Sequence, residues 1–456
     1  MYKSALITLA LLLAGCASYQ PQPLAPHRML ADYEARRLNA PALQQYLALH
    51  DQTDARTWDL DRLTLAAYYY SPELDAARAQ LASGLAAVKT AGQRPNPTLS
   101  LPFQYTASAP KPWTYGLNLD IPIETANKRG YRVAQAEQLS AAARLNIGLT
   151  AWQLRSRLRS SLLDLYAADR RTALLRQQVD SQQAIIALLE ERVALGAASN
   201  VEVNQERIIL ARDHSDLAAS EQQQRDARAQ IATLIGVPVV ALNGIQFDLG
   251  AFERPAPAIP EHDVRCQAIL NRADLQIALA EYEASQSALQ LEVARQFPNL
   301  SLGLGYSFDQ GANKYSVTPS GLTLPLFNHN EGPIAEAEAK RKEAAVHVEA
   351  LQDLALNETD SALQRYQASV QARTIADALL VWQTTAFTGT QHAVAQGAVD
   401  RLALLQAQRT VGTDALTQLD ATIQVQQAIG QLENVMQRPL DGAVLTSPSI
   451  EETHQL

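Results

Sequence analysis

Two very long stretches without proline constrain this chain more than any other feature. Pro122 and Pro238 stand about 115 residues apart, and the sequence between them is dominated by Ala, Leu, Gln, Arg and Glu, residues that favour helix. Gly196, in Gly196-Ala197-Ala198-Ser199-Asn200-Val201-Glu202-Val203, interrupts that run. Glycine suits the left-handed position after a helix, and Ser199 or Asn200 can cap the next one. The pattern predicts a helical hairpin. Its first arm runs from Lys128 to Leu195, roughly 68 residues or ~100 Å at 1.5 Å per residue.

The construction returns 201 residues later: Gly397-Ala398-Val399-Asp400-Arg401-Leu402 lies inside a second proline-free run, between Pro333 and Pro439. Flanking landmarks repeat at nearly the same offset. Pro95-Asn96 matches Pro298-Asn299, Leu99-Ser100-Leu101 matches Leu300-Ser301-Leu302, and Pro122 matches Pro325. A fixed long period means two copies of one unit. The unit reads helix, β-hairpin, long helix, tip, long helix, with a first helix starting at Leu63 and running toward Gly92.

The hairpin segments change period. Thr98 to Ser108 alternates, with Leu99, Leu101, Phe103 and Tyr105 on one side; after a turn at Ala109–Pro112, Trp113, Tyr115, Leu117, Leu119 and Ile121 alternate with polar residues and glycine. In the second copy Leu300, Leu302, Leu304, Tyr306 and Phe308 alternate likewise, a turn is expected at Gly311 to Lys314, and the return strand at Tyr315 to Leu326. Segments of about ten alternating residues suit membrane strands with one face to lipid and one to a wet lumen. Tyr105, Trp113, Tyr115, Tyr306 and Phe308 suit an interfacial girdle. Four strands cannot close alone, and open edges in lipid leave backbone groups unpaired; three chains would supply twelve.

In the first long helix Leu175, Val179, Gln182, Ile186, Leu189 and Val193 step by 4, 3, 4, 3 and 4, a side-by-side seam. On the return arm Ile208, Ile209, Leu217, Ile231, Leu234 and Ile235 are sparser, with Ala and Gln between them, and Leu416, Leu419, Ile423, Ile429 and Leu432 do similar work in the second copy. A narrow seam with a wide polar remainder fits a wall wetted on both sides.

Lys3 and the apolar Ala5–Leu13 form a targeting segment, too short for a membrane helix. It ends in Leu13-Ala14-Gly15-Cys16, a lipobox, so Cys16 is expected to be acylated; Ala17 after it favours outer-membrane delivery. No intrachain disulfide is then expected for Cys266, the second of 2 Cys, which is expected to be a small buried hydrophobe. The organisation reads as signal segment 1–15, lipidated tether and surface-wrapping segment 16–62, first repeat 63–238, linker 239–262, second repeat 263–440 and polar tail 441–456.

Arg94-Pro95-Asn96-Pro97, Lys128-Arg129-Gly130 and the run from Gly397 to Arg409 give the chain a strong resemblance to the TolC-type outer-membrane efflux proteins, in particular their CzcC/CusC-like branch. The resemblance spans Trp58 to Pro439. It implies a mainly α fold with a small β part: a homotrimer whose long hairpins form an α-barrel and whose four strands per chain build a 12-strand β-barrel. It further implies a periplasmic adaptor, an inner-membrane transporter of the RND type, and heavy-metal cations as cargo, with drugs or other small molecules as the alternative. Adaptor contact falls on the tips, at Gly196, Ala197, Gly397 and Ala398. Family members often carry acidic gate residues where this chain has Ala403 and Gln406. The remaining gate candidates are Glu202, Asp400 and Gln406; Glu202 and Asp400 either ring the opening or only cap helices.

No catalytic or cofactor motif is present: no HExxH, GxSxG, P-loop or dinucleotide fingerprint. The 8 His are scattered and Met numbers only 3, so no metal site or cofactor is expected. A net charge of −9 excludes the basic surface that nucleic acid requires. A coiled-coil rod would explain the seams but neither the β-hairpins nor the lipobox; a structural coiled-coil lipoprotein and a type I secretion duct are further alternatives.

Overall fold

The computed structural model describes residues 19–50, 57–108, 110–257, 259, 261–320 and 323–440. Cys16, the signal segment and the tail at 441–456 lie outside them. Helices α1 (Pro26–Ala35), α2 (Pro41–Leu49), α3 (Leu60–Tyr70) and α4 (Pro72–Ala91) lead to strands β1 (Thr98–Ser100), β2 (Phe103–Tyr105) and β3 (Trp113–Ile123). Helices α5 (Lys128–Ala194) and α6 (Asn200–Ile235) complete the first copy. The second comprises α7 (Glu261–Asn271), α8 (Ala273–Ala294), β4 (Leu300–Asp309), β5 (Ala312–Ser320), α9 (Glu331–Ala395) and α10 (Arg401–Met436).

Helix α5 is 67 residues long, ~100 Å, within a residue of the expected arm. Its tip-side half is flanked by α6 and α10, and α10 lies against α9; its other half is flanked by α4 and α8, with α8 against α9. The chain is therefore a ribbon of four helical columns. The α5 seam is as expected: Leu175, Val179, Gln182, Ile186 and Leu189 are buried and Val193 packs beside them. On the return arm Ile208 is 56% exposed in the single chain, on a face of α6 that does not meet α5.

Two prolines alter the expected elements. The helix predicted from Leu63 breaks at Pro72, which lacks the N–H a helix interior needs; Ser71 ends α3 and caps α4 through the Leu74 N–H at 3.4 Å. The first strand is divided at Leu101-Pro102, where proline has no N–H to donate although its carbonyl still accepts from the Gly116 N–H at 3.0 Å, and its second piece ends at Tyr105. Its register is unbroken, since Ser100 faces Asn118 and Phe103 faces Tyr115. The second hairpin turns on Gln310-Gly311, both at positive φ (49° and 104°), as tight two-residue turns require. Ala312, Asn313 and Lys314 are thus in β5, not in the turn. β5 ends at Ser320 instead of Leu326.

The sheet order is β1-β3-β4-β5, with β2 also on β3. Register sorts its faces. Tyr115, Leu117, Leu119 and Ile121 stand opposite Phe308, Tyr306, Leu304 and Leu302, and Leu304 stands opposite Val317. The other face carries Thr114, Gly116, Asn118 and Asp120 opposite Asp309, Ser307, Gly305 and Gly303. At Gly305 a Cβ would sit 2.5 Å from both Asn118 Oδ1 and Ser316 Oγ, so glycine leaves the room those two polar side chains occupy. The outer edges of β1, β2 and β5 pair with no strand among the described residues. Among those residues, no helix is long and apolar enough to cross a membrane.

The largest core joins the N-terminal segment, the first copy and the linker, with Leu419 reaching it from α10. Leu38, Leu43, Tyr46 and Leu47 are at most 1% exposed within it, so the segment expected only to wrap the surface contributes to the core through α2. α1 buries nothing but leads to Arg36, which donates to the Gly236 carbonyl at 2.8 Å and the Tyr70 carbonyl at 3.4 Å, joining the ends of α6 and α3. The linker also packs: Trp58 exchanges backbone hydrogen bonds with Gln246 and Asp248, and Phe252 is buried beside Tyr166. Between the copies, Arg159 and Arg155 of α5 approach Glu433 of α10 at 3.1 and 3.6 Å, all three buried. Burial lowers the pKa of Arg159 and raises that of Asp61 beside it. Cys266 is exposed on α7, not buried as expected; α7 turns Val264 and Ala268 inward instead.

Candidate functional site

Both tips have the same construction. Gly196 (φ 73°) and Gly397 (φ 75°) take the left-handed position. Ala197 donates back to the Arg192 carbonyl and Ala398 to the Ala393 carbonyl, closing each helix with a Schellman turn. Nothing lies within 4 Å of a Cβ built on either glycine. Ala197 and Ala398 are exposed, and Leu195 is 83% exposed. The four tip residues picked from sequence thus form two open apolar turns.

The gate candidates have different surroundings. Asp400 is both a cap and a bridge: Oδ1 accepts from the Ala403 N–H at 2.9 Å and Oδ2 from Arg192 Nη2 at 2.7 Å. The Arg192 guanidinium, then the helix N–H, hold its carboxyl below the ordinary value. Glu202 stays exposed; its Oε1 accepts from the Ser199 hydroxyl at 3.3 Å, while the Glu202 N–H donates to that hydroxyl oxygen at 3.3 Å. This local pair resembles a capping box. Gln406 is exposed, and its carbonyl accepts from Thr410.

Sequence reasoning missed the bridge between the hairpins. Arg192 of the first tip holds Asp400 of the second. Farther from the tips, the Gln182 amide is fully buried and donates to Glu206, while its oxygen accepts from Arg409 at 3.0 Å. Arg409 also lies 3.8 Å from Glu206. Gln182, at a seam position otherwise filled by aliphatics, was the available signal. Below them Ile185, Ile186, Leu189 and Val203 form a small core that Leu402 and Leu405 of the second hairpin cover.

At the other end, the five aromatics chosen from sequence cluster near the strand turns. Tyr105 meets Trp113 edge-on at 4.8 Å between centroids, Tyr115 stacks on Phe308 at 5.0 Å, and Tyr306 tilts against Tyr315 at 5.4 Å. Among the described residues, no group of three or more His, Cys, Asp or Glu is placed to hold a metal ion.

Comparison with known proteins agrees with this geometry. The cobalt-zinc-cadmium resistance protein CzcC of Cupriavidus metallidurans is 25% identical, over 80% of this chain and 86% of its own. The pyoverdine export outer membrane protein OpmQ of Pseudomonas aeruginosa is 27% identical, over 94% of this chain and 97% of its own. The solved outer membrane protein VceC of Vibrio cholerae shares the fold, with a TM-score of 0.69 at 19% identity, covering 84% of this chain and 97% of that one. The family model for outer membrane efflux proteins matches twice, at residues 66–237 and 264–436, once per copy. The chain belongs to the outer membrane efflux protein family.

Proposed function

We propose that this efflux channel is the passive exit duct of a tripartite export machine. Three copies close a 12-strand barrel in the outer membrane and continue it as an α-helical barrel through the periplasm. One observation carries the reading: a sheet with sorted faces and open edges stands at one end of hairpins ~100 Å long, whose two tips lie together at the other. Lipid cannot pair a free strand edge, so neighbouring copies supply the partners. The tips receive a periplasmic adaptor, an inner-membrane transporter of the RND type supplies the driving force, and Cys16 carries a lipid anchor. Purified protein in planar bilayers is expected to conduct as one discrete trimeric pore; absence of conductance from folded trimer would sink the reading.

The cargo favoured is heavy-metal cations, supported by the likeness to a cobalt-zinc-cadmium resistance protein. Small organic molecules are the second reading, favoured by the more extensive likeness to a pyoverdine exporter. A strain lacking the chain separates them: sensitivity confined to zinc, cadmium, cobalt, copper or silver supports the first, and sensitivity confined to dyes, detergents and antibiotics the second.

Three copies of Glu202 would place an acidic ring at the opening. Gln also serves at the third helical position, so Glu202→Gln is expected to leave thermal stability unchanged while lowering cation over anion selectivity in single-channel recordings. Unchanged selectivity would leave Glu202 a capping residue alone.

A further inference from the structure

Between the start of α5 and the end of α8 an apolar groove of about 940 Å³ opens, walled by Tyr131, Leu289, Val293, Phe297, Pro298 and Leu300. We propose that it holds one acyl chain of a phospholipid from the periplasmic leaflet of the outer membrane, a bound lipid distinct from the surrounding bilayer. The inference rests on the membrane-spanning reading of the sheet.

Three observations lead to it. The groove is on the lipid side. Leu300 pairs with Ile123, and in register both belong to the face bearing Leu302, Leu304 and Tyr306, so the groove continues the apolar face beyond the strands. It also lies within one chain. α5 is flanked by α4 and α8, and α8 by α5 and α9, so a neighbouring copy joining at the outer columns leaves this seam uncovered. Its depth fits as well. Tyr115 to Ile123 spans about 26 Å of strand at ~3.3 Å per residue, close to the ~25 Å apolar band of outer-membrane barrels. The groove therefore begins where the band ends and the aromatic interface is due, and it supplies Tyr131 and Phe297 there. Phe297 is 58% exposed and Val293 41%, apolar surface that an acyl chain covers and water does not. Asn127 and Gln290 at the margin supply polar groups at headgroup level.

The test uses full-length protein extracted from membranes in mild detergent, delipidated by washing and weighed by native mass spectrometry. One retained phospholipid per chain is expected. Val293→Trp, which fills the groove, is expected to lose it; should that variant fail to assemble, Phe297→Ala is expected to retain less than half the wild-type lipid. Cys16→Ser is expected to keep the phospholipid. Equal retention in the groove variants overturns the proposal. Loss in Cys16→Ser overturns it too, by identifying the occupant as the chain's own acyl group. Trp113 fluorescence in vesicles of dibrominated phosphatidylcholine checks the underlying reading separately. Quenching with unchanged lipid retention defeats the groove alone, whereas absence of quenching defeats the membrane-spanning sheet.

Discussion

Glu433→Gln is expected to destabilise the folded chain by about 3–5 kcal/mol, the usual cost of removing one partner from a buried ionic cluster. The substitution changes little in shape. It leaves Arg155 and Arg159, 6% and 8% exposed, without the carboxylate that lies 3.6 and 3.1 Å from them. Arg159 retains its bonds to Gln426, at 2.9 Å to the carbonyl and 3.1 Å to the side chain, but these do not neutralise its charge. Replacing the whole cluster with apolar residues, as in Arg155→Met and Arg159→Met with Glu433→Leu, should recover part of the loss, because the desolvation cost is removed with the charges. Loss of the helical circular-dichroism signal on heating or in denaturant measures both. A deficit below about 1 kcal/mol would mean that the cluster is effectively solvated. The cluster joins α5 of the first copy to α10 of the second, so its loss should also loosen the register between hairpins.

The second expected result concerns opening. Asp400→Asn retains a side chain that caps helices as well as Asp does but removes the ion pair to Arg192. Each exposed bridge is worth at most about 1 kcal/mol. On the proposed gating role of the tips, with the bridge holding the closed state, three per trimer shift the balance between closed and open by up to about a hundredfold. Asp400→Asn and Arg192→Ala should both raise resting conductance, and the double variant should add little to either, since each removes the same contact. The effect should shrink at high salt. The pH dependence follows from the depressed Asp400 carboxyl. Its contribution is complete above the ordinary value of 3.8 and disappears as pH falls through the lower folded value. Resting conductance should be flat from neutral pH down to about pH 4 and rise only below it. Unchanged conductance in both single variants would remove the bridge from the gating account.

What the sequence conveyed depended on whether a property was periodic. The long arms, both tips and the two faces of the sheet were legible because apolar spacing and glycine position encode them directly. Breaks that one residue imposes were harder to see. Pro72 and Pro102 each sit inside a pattern that continues in phase on both sides. The burial of Leu43, Tyr46 and Leu47 was hidden because a nine-residue helix carries too few repeats to show a face. At the candidate site, Asp400 and Glu202 were visible as acids near a glycine. Their partners Arg192 and Ser199 differ in legibility: Ser199 is three residues from Glu202, whereas Arg192 meets Asp400 only because α10 folds back along α5. The Gln182, Glu206 and Arg409 contact was out of reach for the same reason.

The four columns also fix the lengths that such a duct can take. α5 has 67 residues and α9 has 65, while α6 and α10 have 36 each. Inserting one residue in α5 would turn everything beyond it by about 100°, carrying Leu189 and Val193 out of their seam. One whole heptad restores the phase and adds ~10 Å. The return arm must then gain a heptad as well, or the tip tilts, and the second hairpin must match, or Arg192 and Asp400 part by that same ~10 Å. On the proposed reading, a duct built this way can be fitted to a wider or narrower periplasm only in steps of about 28 coordinated residues per chain.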